Sequence, residues 1–331
     1  MQNTAQSCPE RMANSEQLPI RGAGPLKIIR SIDGLLAATV PPVEDILYPV
    51  IQLPGITMIS GEKGVGKTYL SLAIAVSVAS GSDVFGWRCR VPRRVLFIDA
   101  ELPLPVLQLR IRQVCAALGI HDYPAGLSFW SASDQYPLPK PNLASSADGD
   151  GLIKQCRQFD LVIFDNLSAM IRGVDLNTAL GWEPVEDFIL SLRHGRTSVV
   201  LVQHLGKDLD RGPRGTSKQE DVLDVSLVLK KAANAKGGAT ITVTCRKMRN
   251  CAESEFTSLE VELGQLDGKF SMVHRPLIAA KTELIIQRYK DYEADGRNKR
   301  GCLTKIAREL SVSPSQVTKA VQKYKRSMRD K

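Results

Sequence analysis

Apolar stretches with β-strand character alternate with helical stretches along the middle of the chain. The strand-like stretches read ITMIS, RVLFIDA, LSFWSA, LVIFDNL and SVVLVQH, and helical stretches such as KTYLSLAIAVSVAS and PVLQLRIRQVCAAL lie between them. Strands that are almost continuously apolar, with helices between them, indicate a parallel sheet that is covered on both faces. We therefore predict an α/β fold with a doubly wound, mainly parallel sheet.

After Asp210 the pattern changes to short strand-like stretches joined by turns, which read DVSLVLKKA, ATITVTCRK, SLEVEL and KFSMV. This pattern is typical of antiparallel strands, which we expect to extend the same sheet. The predicted organisation is a flexible arm at residues 1–44, an α/β domain at residues 45–273, a linker at residues 274–280 and a small helical domain at residues 281–331.

The small helical domain shows two helical patterns around a short turn. The first has one apolar face, made of Leu303, Ile306, Ala307 and Leu310. A turn follows at residues 311–313, and Pro314 then suits the first position of a second helix. We predict a helix-turn-helix whose outward residues reach phosphates and base edges of duplex DNA, namely Ser315, Gln316, Lys319 and Lys323. A packing or protein-interaction module is the alternative.

The positive charge of the chain is concentrated in this small domain. The 331 residues carry a formal net charge of +9. Residues 281–331 contain 14 Lys and Arg against 6 Asp and Glu, so +8 of that total lies there. Clustered cations gain affinity for nucleic acid by releasing counterions from phosphates. We therefore expect DNA as a partner, with a solvated helix face as the alternative.

The remaining composition is that of an ordinary globular protein, with 43% apolar and 24% charged residues. No apolar run reaches the length of about 18 residues that a bilayer span needs, and the first residues lack the apolar segment of a secretory signal. We expect a soluble, cytoplasmic protein without a membrane partner. The seven cysteines are scattered and form no CxxC pair, which indicates reduced thiols.

The segment GEKGVGKT at residues 61–68 matches the phosphate-binding pattern GxxxxGK followed by Ser or Thr, between a strand-like and a helical stretch. Its glycines let backbone N–H groups turn toward phosphates, and the helix N-terminus adds a positive dipole end. Lys67 is predicted to reach the β and γ phosphates of ATP, and the Thr68 hydroxyl to ligate Mg²⁺. The predicted ATP-binding set is Gly61, Glu62, Lys63, Gly64, Val65, Gly66, Lys67, Thr68 and Tyr69, together with Asp165.

Carboxylates follow two of the predicted strands, at the sheet edge where open α/β sheets bind ligands. Asp165 ends one strand and suits Mg²⁺ held through water. Glu101 follows another and suits the orientation and deprotonation of an attacking water. Asp99, which is nearer the strand end, is the competing candidate, and we interpret it as structural. Gln203 ends a further strand beside a histidine, and its amide suits a sensor of the γ-phosphate or a polar strand cap.

The stretches RVLFIDAEL, LVIFDNLSA and VVLVQH, in that order after the P-loop, resemble the motifs of the RecA recombinase and the DnaB-type hexameric helicases. The likeness is greatest to the plasmid-borne replicative helicases called RepA. The resemblance implies that Glu101 is the catalytic glutamate, that Asp165 is the Walker B aspartate, and that Gln203 or His204 is the sensor.

A second likeness concerns contacts between subunits. The segment ITVTCRKMRNC resembles the strand end of DnaB-type helicases from which cations reach the ATP of the neighbouring subunit. It implies that Lys247 and Arg249 act in trans in a homo-oligomer, a hexameric ring or a filament. Arg246 or Arg214 could take this role, and a solvated strand end is the other interpretation.

Two predicted loops offer sparse cations for tracking single-stranded DNA, although ordinary solvent loops would look the same. Their cations are Arg172 in one loop and Lys207, Arg211 and Arg214 in the other. Together these features favour an oligomeric DNA-stimulated ATPase, a RepA-like helicase of a plasmid or other mobile element. A nucleotide-switched DNA-binding regulator, or a helicase loader or recombination mediator, is the alternative.

Overall fold

The computed structural model describes residues 30–204, 218–232, 239–249, 251–252, 255–266, 268–294 and 301–329. The chain divides into two compact units, Met1–Pro42 and Val43–Lys331. In the first unit a short helix α1 (Ile32–Leu36) begins after Ser31, whose hydroxyl accepts a hydrogen bond from the backbone N–H of Gly34 at 3.1 Å. Its residues are exposed to solvent. The sequence predicts this stretch as part of a flexible arm, of which residues 1–29 lie outside the described residues.

The second unit is built on a sheet of nine strands, preceded by an antiparallel pair, β1 (Glu44–Leu47) and β2 (Ile51–Leu53). The nine strands are β3 (Ile56–Gly61), β4 (Val95–Asp99), β5 (Leu127–Ser131), β6 (Leu161–Asp165), β7 (Ser198–His204), β8 (Val225–Lys231), β9 (Ala239–Met248), β10 (Leu259–Leu266) and β11 (Lys269–Pro276). They lie in the order β11-β10-β9-β8-β3-β7-β6-β4-β5.

Six of these strands are parallel, and the other three extend the sheet in antiparallel fashion. Strands β5, β4, β6, β7, β3 and β8 pair in parallel, whereas β9, β10 and β11 each pair antiparallel with the preceding strand. The predicted α/β fold with a mainly parallel sheet and an antiparallel extension is therefore confirmed.

Helices cover both faces of the sheet and bury its apolar side chains. The helices α2 (Lys67–Ser80) and α3 (Leu104–Ala117) share one apolar core with one face of the sheet, while α4 (Ser146–Cys156) and α5 (Ala179–His194) share another core with the opposite face. Alternate residues of a strand point to opposite faces. In β7, for example, Val200 and Val202 join the first core, while Val199 and Leu201 join the second.

A three-helix module follows the sheet. It consists of α7 (Leu277–Ala294), α8 (Cys302–Glu309) and α9 (Pro314–Arg329) around a small core that includes Ile285, Tyr289, Ile306, Val317 and Val321. The apolar positions predicted for two helices therefore face this core. Among the described residues, no helix is long and apolar enough to cross a membrane.

Residues 274–280, which the sequence predicts as a linker, are part of regular structure instead. Strand β11 continues to Pro276 and α7 begins at Leu277, whose N–H donates to the carbonyl of Ser258 at 2.7 Å. Arg275 pairs with Glu260 of β10 at 2.5 Å and with Glu283 of α7 at 2.8 Å. The stretch HRP has no apolar pattern, so these contacts were not visible in the sequence.

Candidate nucleotide-binding site

The carboxyl ends of four parallel strands bring the predicted site residues to one edge of the sheet. Gly61 at the end of β3 lies opposite His204 at the end of β7, and Asp165 of β6 lies opposite Asp99 of β4. Since parallel strands end at the same edge, the P-loop, the strand-end carboxylates and His204 meet there.

The P-loop needs its glycines for two separate reasons. Gly64 and Gly66 have φ angles of +71° and +106°, a region that side-chain-bearing residues rarely adopt. A Cβ atom at Gly66 would also lie 2.7 Å from Cδ1 of Leu263 in β10, and one at Gly61 would lie 2.9 Å from the carbonyl oxygen of Leu229 in β8. The antiparallel extension therefore packs directly against the phosphate-binding loop.

The amino end of α2 is open for phosphate. Gly66 caps the helix without any side-chain hydrogen bond, so the first N–H groups have no capping oxygen. Backbone N–H groups at a helix N-terminus bind anions, because the helix dipole is positive there. The expected cradle at residues 61–68 thus has the required local geometry.

Lys67 is buried inside this loop, with only 6% of its surface exposed. Its ammonium donates to the carbonyls of Gly61 at 2.9 Å and Glu62 at 2.7 Å, and lies 3.0 Å from Nδ1 of His204. Burial lowers the Lys67 pKa to about 8, against the opposing effect of Asp165. If phosphate oxygens replaced the two carbonyls, their negative charge would stabilise the protonated ammonium and raise the pKa of Lys67.

Asp165 lies beside the first turn of α2. Its carboxylate accepts a hydrogen bond from the Ser71 hydroxyl at 3.1 Å, and a second bond links it to the Thr68 side chain. Burial raises the pKa of Asp165, while these two bonds and the charge of Lys67 lower it. A buried carboxylate next to a threonine hydroxyl fits the donor set of Mg²⁺, which prefers oxygen ligands and takes several from phosphates and water.

Two carboxylates near the end of β4 lie in different environments. Asp99 is 1% exposed, and its Oδ2 accepts a hydrogen bond from the Leu102 N–H at 3.0 Å. Burial raises the pKa of Asp99 to about 7, and the charges of Asp165 and Glu101 add to this effect. Glu101 is exposed. Asp99 thus holds the turn that carries Glu101, as the structural interpretation of Asp99 requires.

The two sensor candidates at the end of β7 point to opposite faces of the sheet. His204 is on the face of α2, where its ring meets Lys67 at 3.0 Å. Gln203 is 2% exposed and, as the preceding strand residue, points to the other face. The strand period was available in the sequence, but the position of the P-loop helix relative to it was not.

Asn166 is a further residue of this site, one that the sequence pattern did not predict. Its Oδ1 accepts hydrogen bonds from the Ala169 N–H at 3.0 Å and the Ser168 hydroxyl at 2.9 Å. A backbone N–H can only donate, so the other end of the amide, Nδ2, is the one that faces Nε2 of His204 at 3.1 Å. The available signal was an amide directly after the strand-end Asp165.

The cations predicted to act in trans lie at the other end of the sheet. Met248 pairs with Val225, which is level with Thr57 rather than with Gly61 at the end of β3. Four residues along a strand correspond to about 13 Å. Lys247 and Arg249 are therefore far from the P-loop of their own chain.

Each of these cations is bonded within its own chain, near the short helix α6 (Lys218–Asp221). Lys247 donates to the carbonyl of Glu220. Arg249 donates to the carbonyl of Asp221 at 2.5 Å and lies 3.8 Å from the carboxylate of Asp224. Arg246, the other described candidate for a role in trans, pairs with the Glu220 carboxylate at 3.1 Å.

The predicted DNA-binding cations of the loops are described only in part. Arg172 is exposed, and its guanidinium donates to the carbonyl of Lys140 at 2.6 Å. Lys207, Arg211 and Arg214 lie outside the described residues. Tyr69, the last residue of the predicted ATP-binding set, stacks on Phe270 of β11 with ring centroids 4.8 Å apart.

In the three-helix module, two of the predicted base-reading residues help to begin α9. Ser313 donates to Oε1 of Gln316 through its backbone N–H at 3.0 Å, and its hydroxyl accepts from the Gln316 N–H at 3.3 Å. This reciprocal pair is a capping box. Ser315 shares a hydrogen bond with the Ser313 hydroxyl at 3.0 Å. Lys319 and Lys323 are exposed further along the helix.

The P-loop, the strand-end carboxylates and the mainly parallel sheet define a nucleotide-binding P-loop ATPase. The chain belongs to the family described as AAA domain, whose model matches residues 23–210, more than half of its length. No curated protein sequence matches the chain. Among solved structures, the flagellar accessory protein FlaH from Methanocaldococcus jannaschii is similar with a TM-score of 0.45 and 11% identity, over 67% of this chain and 90% of that one.

Proposed function

We propose that this ATPase hydrolyses MgATP as a homo-oligomer on DNA, as a replicative helicase of the RepA type. The observation that carries the catalytic part is the meeting of Lys67, Asp165 and Glu101 at one sheet edge, beside the open end of α2. Such a site binds the phosphates of a nucleotide and provides an exposed carboxylate for water.

In the proposed reaction Lys67 exchanges its two loop carbonyls for oxygens of the β and γ phosphates. The Thr68 hydroxyl and Asp165 would hold Mg²⁺, which neutralises charge on those phosphates when bound. Glu101 orients the attacking water and accepts its proton. The water oxygen bonds to the γ-phosphorus as the bond from that phosphorus to the β–γ bridging oxygen breaks. The bridging oxygen stays on ADP, and the γ-phosphoryl group leaves as inorganic phosphate.

His204 and Asn166 supply a further contact for the γ-phosphate. The His204 ring faces a donor on each side, with Nδ2 of Asn166 at 3.1 Å from Nε2 and the Lys67 ammonium at 3.0 Å from Nδ1. A neutral imidazole has only one acceptor nitrogen, so one of these two contacts brings donors together. An oxygen of the γ-phosphate between Lys67 and the ring would accept a hydrogen bond from the ammonium and, from the ring with its proton on Nδ1, a second one. We therefore assign the sensor role to His204, with Asn166 as its positioning residue.

The DNA and oligomer parts of the proposal rest on charge and on the position of two cations. The module at residues 281–331 carries a net charge of +8 from 14 basic and 6 acidic residues. Lys247 and Arg249 lie too far from the P-loop of their own chain to contact its ATP. This position is expected of cations that act on the ATP of a neighbouring subunit. Their bonds to α6 of the same chain favour a second candidate, a DNA-binding regulator that uses nucleotide as a switch.

ATP turnover with and without single-stranded DNA, measured beside unwinding of a forked duplex, tests the proposal. The helicase predicts turnover that DNA stimulates and ATP-dependent strand separation, both absent in Lys67→Ala. Turnover without strand separation would reject the helicase and support the regulator. No turnover at any DNA concentration, in a folded protein that binds ATP, would reject hydrolysis itself.

A further inference from the structure

A cleft of about 590 Å³ lies between the three-helix module and the sheet domain. One wall is the segment at residues 256–258, just before β10, and the others are α7 and α9. Three lysines line it, namely Lys281 from α7 and Lys319 and Lys323 from α9. We call it the basic cleft. The cleft places Gln316, Lys319 and Lys323, which the sequence predicts to contact duplex DNA, beside residues 256–258 of the ATPase domain.

The chemistry of the basic cleft favours a phosphate-bearing ligand. None of the described residues that line it is acidic, while Thr257, Ser258 and Thr282 add hydroxyl groups. Glu260 and Glu283, which are close to the lining residues in sequence, both pair with Arg275, and the exposed Glu255, directly before Phe256, lines a neighbouring cavity instead. The three exposed lysines thus face a cleft whose walls offer cations and hydrogen-bond donors.

The cleft also contains an aromatic wall, Phe256, which is half-buried. Its inner side packs near Trp87, with ring centroids 6.3 Å apart. A basic groove with an aromatic side chain is the usual combination for single-stranded nucleic acid, because phosphates meet the cations and bases stack on the ring.

The position of α9 argues against insertion into a duplex. A recognition helix is about 10–12 Å wide and must enter a major groove of about 12 Å with its reading face clear. Here the face that carries Gln316, Lys319 and Lys323 is one wall of the cleft, opposite residues 256–258. Gln316 also uses its side-chain carbonyl in the capping box. A cleft of this size suits a ligand of about one or two nucleotides.

We propose that the basic cleft binds a short stretch of single-stranded DNA, with its phosphates on Lys281, Lys319 and Lys323 and a base against Phe256. This proposal rests on the proposed DNA partner but replaces the expected duplex contact of the module by a single-strand contact. The ATPase domain then contributes directly to DNA binding by the three-helix module.

Fluorescence anisotropy of the full-length protein without nucleotide tests this, using a labelled 15-mer of thymidylate and a hairpin duplex of equal length. Lys319→Ala and Lys323→Ala are compared with Lys305→Ala, which removes the same charge from an exposed position of α8 outside the cleft. For the single strand, three phosphate contacts predict that a plot of the logarithm of the binding constant against the logarithm of the salt concentration has a slope of about −2. Each cleft lysine accounts for about 0.7 of this slope.

The expected result is preferential binding of the 15-mer, weakened several-fold by each cleft variant and little by Lys305→Ala. Phe256→Leu should weaken binding by about fivefold or more at an unchanged salt slope, because stacking is not ionic. Its thermal unfolding is measured alongside, since Phe256 also packs on the core.

Three results would overturn the proposal. Equal losses in Lys305→Ala would show diffuse charge attraction, tighter duplex binding that depends on Lys319 would restore the duplex reader, and equal competition by poly-glutamate would indicate an acidic protein partner. ATP turnover is measured separately without DNA, so that a chain that binds DNA but lacks turnover refutes the proposed hydrolysis and leaves the cleft assignment standing.

Discussion

Amide substitutions at Asp99 and Glu101 distinguish a buried structural carboxyl from an exposed catalytic one. Asp99→Asn keeps an oxygen for the Leu102 N–H that Asp99 now accepts at 3.0 Å. Glu101→Gln keeps size but cannot take a proton from water. We expect Glu101→Gln to bind ATP normally and to turn it over about 10²–10⁴-fold more slowly, while Asp99→Asn stays within a few-fold of the original chain.

The same pair differs in its effect on stability. Burial raises the pKa of Asp99 from 3.8 to about 7. The folded chain therefore retains a proton that the unfolded chain has already released between about pH 4 and pH 7. At 1.36 kcal/mol per pKa unit, this group lowers the free energy of unfolding by at most about 4 kcal/mol as the pH rises through that window. Asp99→Asn cannot ionise, so it should gain up to this amount at pH 8 and almost nothing at pH 4.

Urea unfolding followed by circular dichroism at several pH values between 4 and 8, beside ATP turnover at pH 8, measures both effects. Glu101→Gln is the control for stability, because Glu101 is exposed and surface changes typically alter stability by less than about 0.5 kcal/mol. The same pH dependence in Asp99→Asn and the original chain would refute the burial argument. A loss of turnover in folded Asp99→Asn as large as that in Glu101→Gln would make Asp99 the residue that activates water.

Three further experiments test other parts of the site. Asn166→Asp keeps the acceptor for the Ala169 N–H but removes the donor that faces the His204 imidazole. The rate of ATP turnover should therefore fall while ATP affinity changes little. A turnover rate equal to that of the unchanged protein would contradict the positioning role of Asn166. Gly66→Ala should abolish ATP binding and lower the free energy of unfolding in urea by about 1–3 kcal/mol. The control is Gly151→Ala in α4, where an added Cβ meets no atom within 4 Å, and it should change neither ATP binding nor stability appreciably. ATP binding by Gly66→Ala would refute the requirement for glycine in the P-loop. Mixtures of Arg249→Ala and Lys67→Ala should regain ATP turnover if Arg249 acts in trans; none in proven mixed assemblies would end that assignment.

Local patterns predicted the elements that local physics dictates. The apolar strands β3, β4, β6 and β7 are buried along almost their whole length, and continuous apolar runs between helices are the sign of such strands. The P-loop was equally readable, since positive φ angles, a helix N-terminus and a lysine are needed at fixed spacing. The apolar face of α8 and the proline at the start of α9 likewise gave the helices of the module.

Contacts between residues distant in sequence decided the features that the sequence left open. Which of Gln203 and His204 lies beside Lys67 depended on which face of β7 meets α2. The bonds of Lys247 and Arg249 depended on the return of β9 to the amino end of β8, next to α6. Each of these polar residues fitted several partners, and only the packing of the sheet selected one.

The sequence by itself determined the strands of a mainly parallel sheet, the phosphate-binding loop and the carboxylates at two strand ends, because period, glycine and charge act over a few neighbouring residues. The tertiary structure alone decided that Asp99 is buried while Glu101 is open, that Asn166 reaches His204, and that α9 faces the ATPase domain across the basic cleft. Burial, pKa shifts and shared clefts arise from the summed surroundings of a side chain, and those surroundings are assembled from segments more than half of the chain apart, as in the stacking of Tyr69 on Phe270.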